Sequence, residues 1–401
     1  MTEGYAVLVN RSRDQLISCA VAALAGVIIL AQAPAVQAQS QAPTPATSPQ
    51  SVEALIKDLG IVESDTRVRD RKDWRVPKKI VFLGGDPGSR AQGDAFARIL
   101  PGAEIVIAPD FSAAVAAVAN ADVIVGLTTS PGICDPDIIK NGKQLRWLLS
   151  MSAGVERCVS NPDIVSRNLL VTNLRAVDSA TIAEHAVALA LALARGLDRF
   201  AVDTKQGQWR RESSARMETL NGKTMLVVGL GGIGTEVASR GHALGMKITA
   251  TRNSGRTGPD YVSYVGLPSE LLTLAKDADV VVNTAPLTTE TTGLFNARFF
   301  ATMKPSAYFI NIARGGSVVT ADLQKALVEG RIAGAGLDVV DPEPLPPDNP
   351  LWKAPNLIIT PHVSSRSDVQ GEGRWIIGRE NLKRYIAGGK MLSEVDFKRE
   401  Y

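Results

Sequence analysis

From Lys78 onward, apolar runs of strand length alternate with helical patterns, and that alternation restricts the chain to parallel sheets joined by crossover helices. The first series reads KKIVFLGG, a helical AFARILPG, AEIVIA, a helical SAAVAAVANA, DVIVGL, a helix-like PDIIKNGK, RWLLSM and LLVTN. A second begins at TMLVVGL. It continues through a helix over 233–244, KITAT, the helix LPSELLTLAKDA, DVVVNTAP, NARFFATMKP, AYFINIA, TADLQKALVEG, AGAGLDV and LIITP, and a helical tail over 369–387 ends the fold. Between the series, SATIAEHAVALALALARGLDRF predicts one long helix, apolar nearly all round in its middle and so buried between domains. The strand runs are short and rich in β-branched residues, as expected when helices cover both faces of a sheet. The expected fold class is therefore α/β, with two doubly wound parallel sheets. Such sheets bind ligands outside the carboxyl ends of their strands, where Arg314, Asp338 and His362 all fall.

The length of 401 residues exceeds one ordinary core and suits two domains. A formal net charge of +3 sets up no field that would attract a polyanion, so nucleic acid is not an expected partner. Of three cysteines, Cys19 lies in an N-terminal apolar segment, leaving Cys134 and Cys158 as the pair that could meet in the folded part. This usage does not indicate a disulfide scaffold, and Cys158 is expected as a packed or partly exposed thiol. With His185, His242 and His362 as the only histidines, a histidine-rich metal site is not expected. His185 and His242 sit within helical stretches, where packing or surface roles are expected.

The first 38 residues read as a secretory signal: Arg11 and Arg13 precede the apolar run ISCAVAALAGVIILA, and Val36-Gln-Ala38 supplies small residues for cleavage before Gln39. The run is shorter than the roughly 20 apolar residues that span a bilayer. A periplasmic or secreted location follows as the expectation, with a membrane-anchored or cytoplasmic protein as the alternatives. Residues 39–76 form a flexible Pro/Ser/Thr/Ala-rich lead-in and linker, in which SVEALIKDLG predicts a short amphipathic helix and the charged stretch from Thr66 to Arg75 wraps the surface.

Gly229-Leu-Gly231-Gly-Ile-Gly234 places G-x-G-x-x-G after a predicted strand and at the start of a helix, the Rossmann dinucleotide signature. Gly229 permits the tight turn, Gly231 lets backbone approach a pyrophosphate, and Gly234 allows close packing of helix on strand. Dinucleotide sites that select NAD carry an acid at the end of the second strand, whereas KITAT runs into Arg252. A guanidinium cannot accept from ribose hydroxyls but pairs with a 2′-phosphate, so the expected cofactor is NADP, with NAD possible. Ser254 and Arg256 are candidate helpers.

AEHAVALALALAR, GLGGIG, NIARGG, GLDVVDPEP and TPHVSS occur in the order and approximate spacing of the D-isomer-specific 2-hydroxyacid dehydrogenases, which the chain resembles from about Lys78 to its end. The resemblance implies two Rossmann-like or flavodoxin-like domains. The substrate domain would be discontinuous, made of residues 77–176 and a return over 366–401, around an NAD(P)-binding domain at 177–365. It implies that Arg314 binds the substrate carboxylate and carbonyl, that His362 is the proton donor and acceptor, and that Glu343 partners that histidine. It places Gly232, Ile233 and Ala313 with the glycines against the cofactor, Asp338 near the nicotinamide amide, and Ala153, Gly154 and Val155 around the substrate carboxylate. It also implies a homodimer.

The chemistry agrees with these roles. A guanidinium can fork to a planar carboxylate while polarising the neighbouring ketone. Imidazole can protonate the alkoxide that develops when a ketone is reduced. The expected reaction is reversible hydride transfer between the nicotinamide and a small 2-oxoacid of the glyoxylate or hydroxypyruvate kind. A formate-type dehydrogenase of the same fold is an alternative that Glu343 disfavours, since those enzymes carry glutamine there. An exported dinucleotide-binding redox sensor without turnover is the alternative from another class.

Overall fold

A computed structural model describes residues 52–128, 131–211, 217–368 and 370–401; the signal-like segment and residues 39–51 of the lead-in lie outside the described residues. The first series of apolar runs forms β2 (Lys79–Leu83), β3 (Glu104–Ala108), β4 (Val123–Gly126), β5 (Trp147–Ser150) and β6 (Leu170–Thr172), after β1 (Glu63–Arg67). The second series forms β7 (Thr224–Val228), β8 (Lys247–Thr251), β9 (Val262–Gly266), β10 (Val280–Asn283), β11 (Tyr308–Asn311), β12 (Gly334–Leu337) and β13 (Leu357–Ile359), and β14 (Lys390–Leu392) closes the chain. Among the described residues these make a parallel five-stranded sheet of order β3-β2-β4-β5-β6 and a parallel seven-stranded sheet of order β13-β12-β11-β10-β7-β8-β9. Both orders reverse direction at one strand pair, β2/β4 and β7/β10, as in flavodoxin-like and Rossmann sheets.

Period-two burial explains why these runs are strands. Met225 and Val227 face one core with Val280, Ile310 and the helix Ser179–Arg195. Leu226 and Val228 face the other with Val281, Phe299 and Phe309. The five-stranded sheet is likewise covered on both sides. One of its faces, with Phe82, Val125 and Trp147, receives Ile377, Leu382 and Tyr385 from the C-terminal helix Gln370–Ala387. Trp147 and Tyr385 stack with ring centroids 4.9 Å apart. The tail of the chain thus returns to the first sheet, as the resemblance implied.

Five local readings change. The long helix between the series breaks at Gly196, whose φ of 62° ends Ser179–Arg195 and starts Leu197–Lys205 at a bend of 74°. The first of these helices is buried on one face, through Ala183, Ala186, Leu189, Ala190 and Leu193, against the seven-stranded sheet, rather than all round. An edge strand, β9, lies in a stretch expected as a connection. Part of the segment expected to wrap the surface is β1, paired antiparallel with β14. Finally, Cys158 is not a free thiol: it is fully buried and joined to Cys134 by a disulfide.

Candidate active site

The glycine loop at the carboxyl end of β7 has the form that a dinucleotide needs. Gly229 sits at φ 96°, and a Cβ there would lie 2.8 Å from the backbone of Ala285. A Cβ on Gly234 would collide with the Gly229 carbonyl at 2.1 Å, so helix and strand approach as closely as they do only with glycine. A Cβ on Gly231 would meet nothing within 4 Å, so the backbone there is open to a ligand. The helix Gly232–Ala243 starts at this point, with Ile233 half-buried, and its first-turn N–H groups have no intrahelical acceptors. The residues present therefore fit a pyrophosphate.

Arg252 follows β8 directly, its backbone N–H bonded to the Gly266 carbonyl. Its Nε donates to Ser254 Oγ at 2.8 Å and its Nη1 to the Thr257 carbonyl at 2.9 Å, which leaves Nη2 free for a phosphate. Arg256 is differently engaged. It pairs with Glu270 at 2.7 Å and bonds Tyr264 Oη at 2.9 Å, so of the two candidate helpers only Ser254 stands with Arg252. Glu270 is held down to about 2 by Tyr264, the Leu267 N–H and Arg256.

A buried polar ladder sets the backbone of Arg314. Asn283 and Asn311 end β10 and β11 side by side, and Asn283 Nδ2 donates to Asn311 Oδ1 at 3.0 Å and to Ser317 Oγ at 2.9 Å. The Arg314 carbonyl accepts from Asn311 Nδ2 and Ser317 Oγ, and the Ala313 N–H donates to Asn311 Oδ1. The guanidinium itself is engaged through Nε and Nη1. Nε donates to Glu156 Oε1 at 2.7 Å, and Nη1 donates to the Ala313 carbonyl at 2.7 Å.

The turn Ala153-Gly154-Val155 follows β5 and is laced down by polar groups. Thr128 Oγ1 donates to the Gly154 carbonyl at 2.7 Å, Asn173 Nδ2 donates to the Ala153 carbonyl at 2.8 Å, and Val155 is buried in the core. A Cβ on Gly154 would stand 2.1 Å from Arg314 Nη2, so that guanidinium nitrogen lies against the turn. The ends of the two sheets meet here.

His362 and Glu343 also come together, with Nδ1 and Oε2 2.9 Å apart. The other carboxylate oxygen accepts from the Val340 N–H at 3.1 Å. Burial pushes the Glu343 carboxyl up, but the hydrogen bond and charge of His362, the Val340 N–H and the charge of Arg314 outweigh it, and the group titrates below its usual range. An ionised Glu343 accepts a hydrogen bond from Nδ1–H, which leaves Nε2 as the ring nitrogen of His362 that can exchange a proton. His362 adopts φ 53°, a left-handed conformation uncommon for a non-glycine residue, and its N–H donates to the Asp338 carbonyl at 2.8 Å.

Asp338 holds this loop. Its side chain is wholly buried; Oδ1 accepts from Thr360 Oγ1 at 2.6 Å and the Val363 N–H at 3.0 Å, and Oδ2 accepts from the Ser364 N–H at 3.0 Å. His185 Nε2 in turn lies 2.8 Å from Thr360 Oγ1, so this helical histidine packs through a hydrogen bond. Sequence reading missed Glu156, Asn283, Asn311 and Thr360. The one available signal was an asparagine closing each of the apolar runs VVVN and YFIN.

Residues 187–364 match the family model described as D-isomer specific 2-hydroxyacid dehydrogenase, NAD binding domain. Over 253 residues the chain is 36% identical to glyoxylate/hydroxypyruvate reductase B of Pectobacterium carotovorum, a match covering 62% of this chain and 77% of that protein. The chain belongs to the D-isomer specific 2-hydroxyacid dehydrogenase family. As a dehydrogenase of this family it is an NAD(P)-dependent oxidoreductase. It is also 36% identical over 232 residues to D-3-phosphoglycerate dehydrogenase of Archaeoglobus fulgidus, a match that covers 58% of this chain but only 43% of that longer relative. Among solved structures, the D-isomer specific 2-hydroxyacid dehydrogenase of Xanthobacter autotrophicus Py2, in complex with NADPH and MES, matches with a TM-score of 0.67 at 28% identity. That match covers 81% of this dehydrogenase and 100% of the other chain.

Proposed function

We propose that this dehydrogenase reduces a small 2-oxoacid of the glyoxylate or hydroxypyruvate kind with NADPH, using Arg314, Glu343 and His362. The observation that carries the reading is the meeting of Arg314 Nη2 with the Gly154 turn, on the same sheet edge as the His362–Glu343 pair. The bound cofactor supplies the two-electron reducing equivalent. The chain supplies the rest. The glycine loop receives the pyrophosphate on the first-turn N–H groups of Gly232–Ala243, with Ile233 and Ala313 beside it, and Arg252 with Ser254 receives the 2′-phosphate. Arg314 binds the carboxylate and draws electron density from the ketone oxygen. In its imidazolium form His362 gives that oxygen its proton from Nε2, and the Glu343 carboxylate, accepting from Nδ1–H, orients the ring for that transfer.

The seven-stranded sheet is the cofactor domain of this reading, over 177–365, and the five-stranded sheet with its C-terminal return over 366–401 is the substrate domain. Exposed Leu197, Val202 and Trp209 suit a subunit contact and support the homodimer that the family resemblance implies. The signal-like first 38 residues support export, and so does the Cys134–Cys158 disulfide, because such bonds persist mainly in oxidising compartments.

Purified protein is to be mixed with NADPH or NADH and with glyoxylate, hydroxypyruvate, pyruvate or phenylpyruvate while cofactor absorbance is followed. Turnover of at least one acid is expected, faster with NADPH, and Arg252→Asp should reverse the cofactor preference. Tight NADPH binding without turnover of any acid would replace this reading with that of a redox sensor.

A further inference from the structure

Glu156 is the first residue of the short helix Glu156–Val159, immediately after the Ala153-Gly154-Val155 turn. Its carboxylate reaches across from the end of β5 to the end of β11, where Oε1 accepts from Arg314 Nε at 2.7 Å. A guanidinium offers five N–H donors in one plane, so fixing one of them fixes the directions of the others. With Nε on Glu156 and one Nη1 proton on the Ala313 carbonyl, the donors that remain are the other Nη1 proton and both on Nη2. Nη2 is the nitrogen that lies against Gly154. We propose that Glu156 is a positioning residue for 2-oxoacid reduction: it takes the Nε edge of Arg314 and so presents the terminal Nη edge to the substrate carboxylate and ketone.

Three features support this assignment. Glu156 is held on a rigid base, because Cys158 in the same helical turn is bonded to Cys134 and the preceding turn is tied by Thr128 and Asn173. Both partners of the ion pair are about one-third exposed, at 30% and 36%, so the pair adds little to stability and its consequence lies in orientation. A Cβ on Gly154 would also stand 2.8 Å from Glu156 Oε2, so the same glycine leaves room for both side chains of the pair. The inference rests on the reading of Arg314 as the substrate-binding arginine.

Steady-state kinetics on the full chain distinguish the two. Arg314→Lys should reduce kcat/KM severely, and full activity in that variant would overturn the reading of Arg314 itself. Glu156→Leu should lower kcat/KM on the order of 100-fold, mostly in kcat, with NADPH affinity and Tm close to the parent. Glu156→Gln keeps an acceptor oxygen for Nε and should recover most of that loss. With Arg314→Lys impaired, Glu156→Leu activity within about threefold of the parent would overturn the positioning role. So would equal losses in the Leu and Gln variants accompanied by a lowered Tm and weakened NADPH binding, which is the pattern of a structural residue.

Discussion

Asp338 is the residue at which the family resemblance and the geometry differ most in emphasis. The resemblance places it near the nicotinamide amide, whereas the structure shows its carboxylate enclosed by the loop that carries His362. Burial raises its pKa, but the hydrogen bonds from Ser364, Thr360 and the Val363 N–H outweigh burial and hold it below the usual carboxylate range. A carboxyl whose pKa is lower in the folded than in the unfolded chain stabilises the fold above the unfolded value, about 3.9, and loses that contribution as pH falls through the folded value. Asp338→Asn presents an amide N–H2 to one of these donors. It should be about 1–3 kcal/mol less stable than the parent at pH 7. Because the parent loses the carboxylate's contribution in acid, the gap should narrow toward pH 3. Urea unfolding at the two pH values measures this, and equal midpoints at pH 7 would show that the carboxylate does not hold the loop. The variant should also lose kcat, since the carboxylate's bonds to Thr360, Val363 and Ser364 hold the residues on either side of the left-handed His362.

At the scale of elements, the helix Glu156–Val159 depends on a bond that sequence reading did not expect to matter. Cys134 and Cys158 close a loop with a sequence separation of 24, which in the chain-entropy account stabilises the fold by about 3 kcal/mol. Cys158→Ser should shift the denaturant midpoint accordingly, and dithiothreitol should shift the parent by the same amount and leave the variant unchanged. Identical midpoints for parent and variant, with and without reductant, would contradict a structural bond. Apart from β9, the strands of the two parallel sheets were legible because β-branched residues buried on both faces leave an unbroken apolar run, as in DVIVG and DVVVN. β9 was not legible: Ser263 and Tyr264 point outward at a sheet edge, and only Val265 and Gly266 are buried. Nor was β1, whose ESDTR is polar and defined only by its partner β14. The break at Gly196 was hidden because apolar periodicity continues across it. Arg314, Glu343 and His362, the trio of the proposed reaction, were singled out through their motifs, but Glu156 lies 158 residues from Arg314, and no local pattern records a contact at that range.

For the whole molecule, compartment can be read from the same cysteines. A chain processed before Gln39 loses Cys19 with its signal and keeps only Cys134 and Cys158, which are bonded to each other. An exported and processed chain would therefore have no free thiol, whereas an unprocessed chain held in a reducing cytosol would carry three. N-terminal sequencing and maleimide labelling of the protein from fractionated native cells read both features at once. Export predicts an N-terminus at or near Gln39, recovery outside the cytosolic fraction, and labelling only after denaturation and reduction. A full-length cytosolic chain whose thiols label upon denaturation without reductant would remove export from the reading. It would leave Arg314, Glu343 and His362 untouched, because their geometry depends on the strand ends of the two sheets and not on the first 38 residues. Export changes the supply problem instead. If exported, the enzyme must acquire its nicotinamide dinucleotide where such cofactors are scarce, or cross the membrane already folded around it. If the protein is exported, tightly held NADP should co-purify with the mature chain; a cofactor-free protein that binds NADPH only weakly would show that the site is loaded from its surroundings.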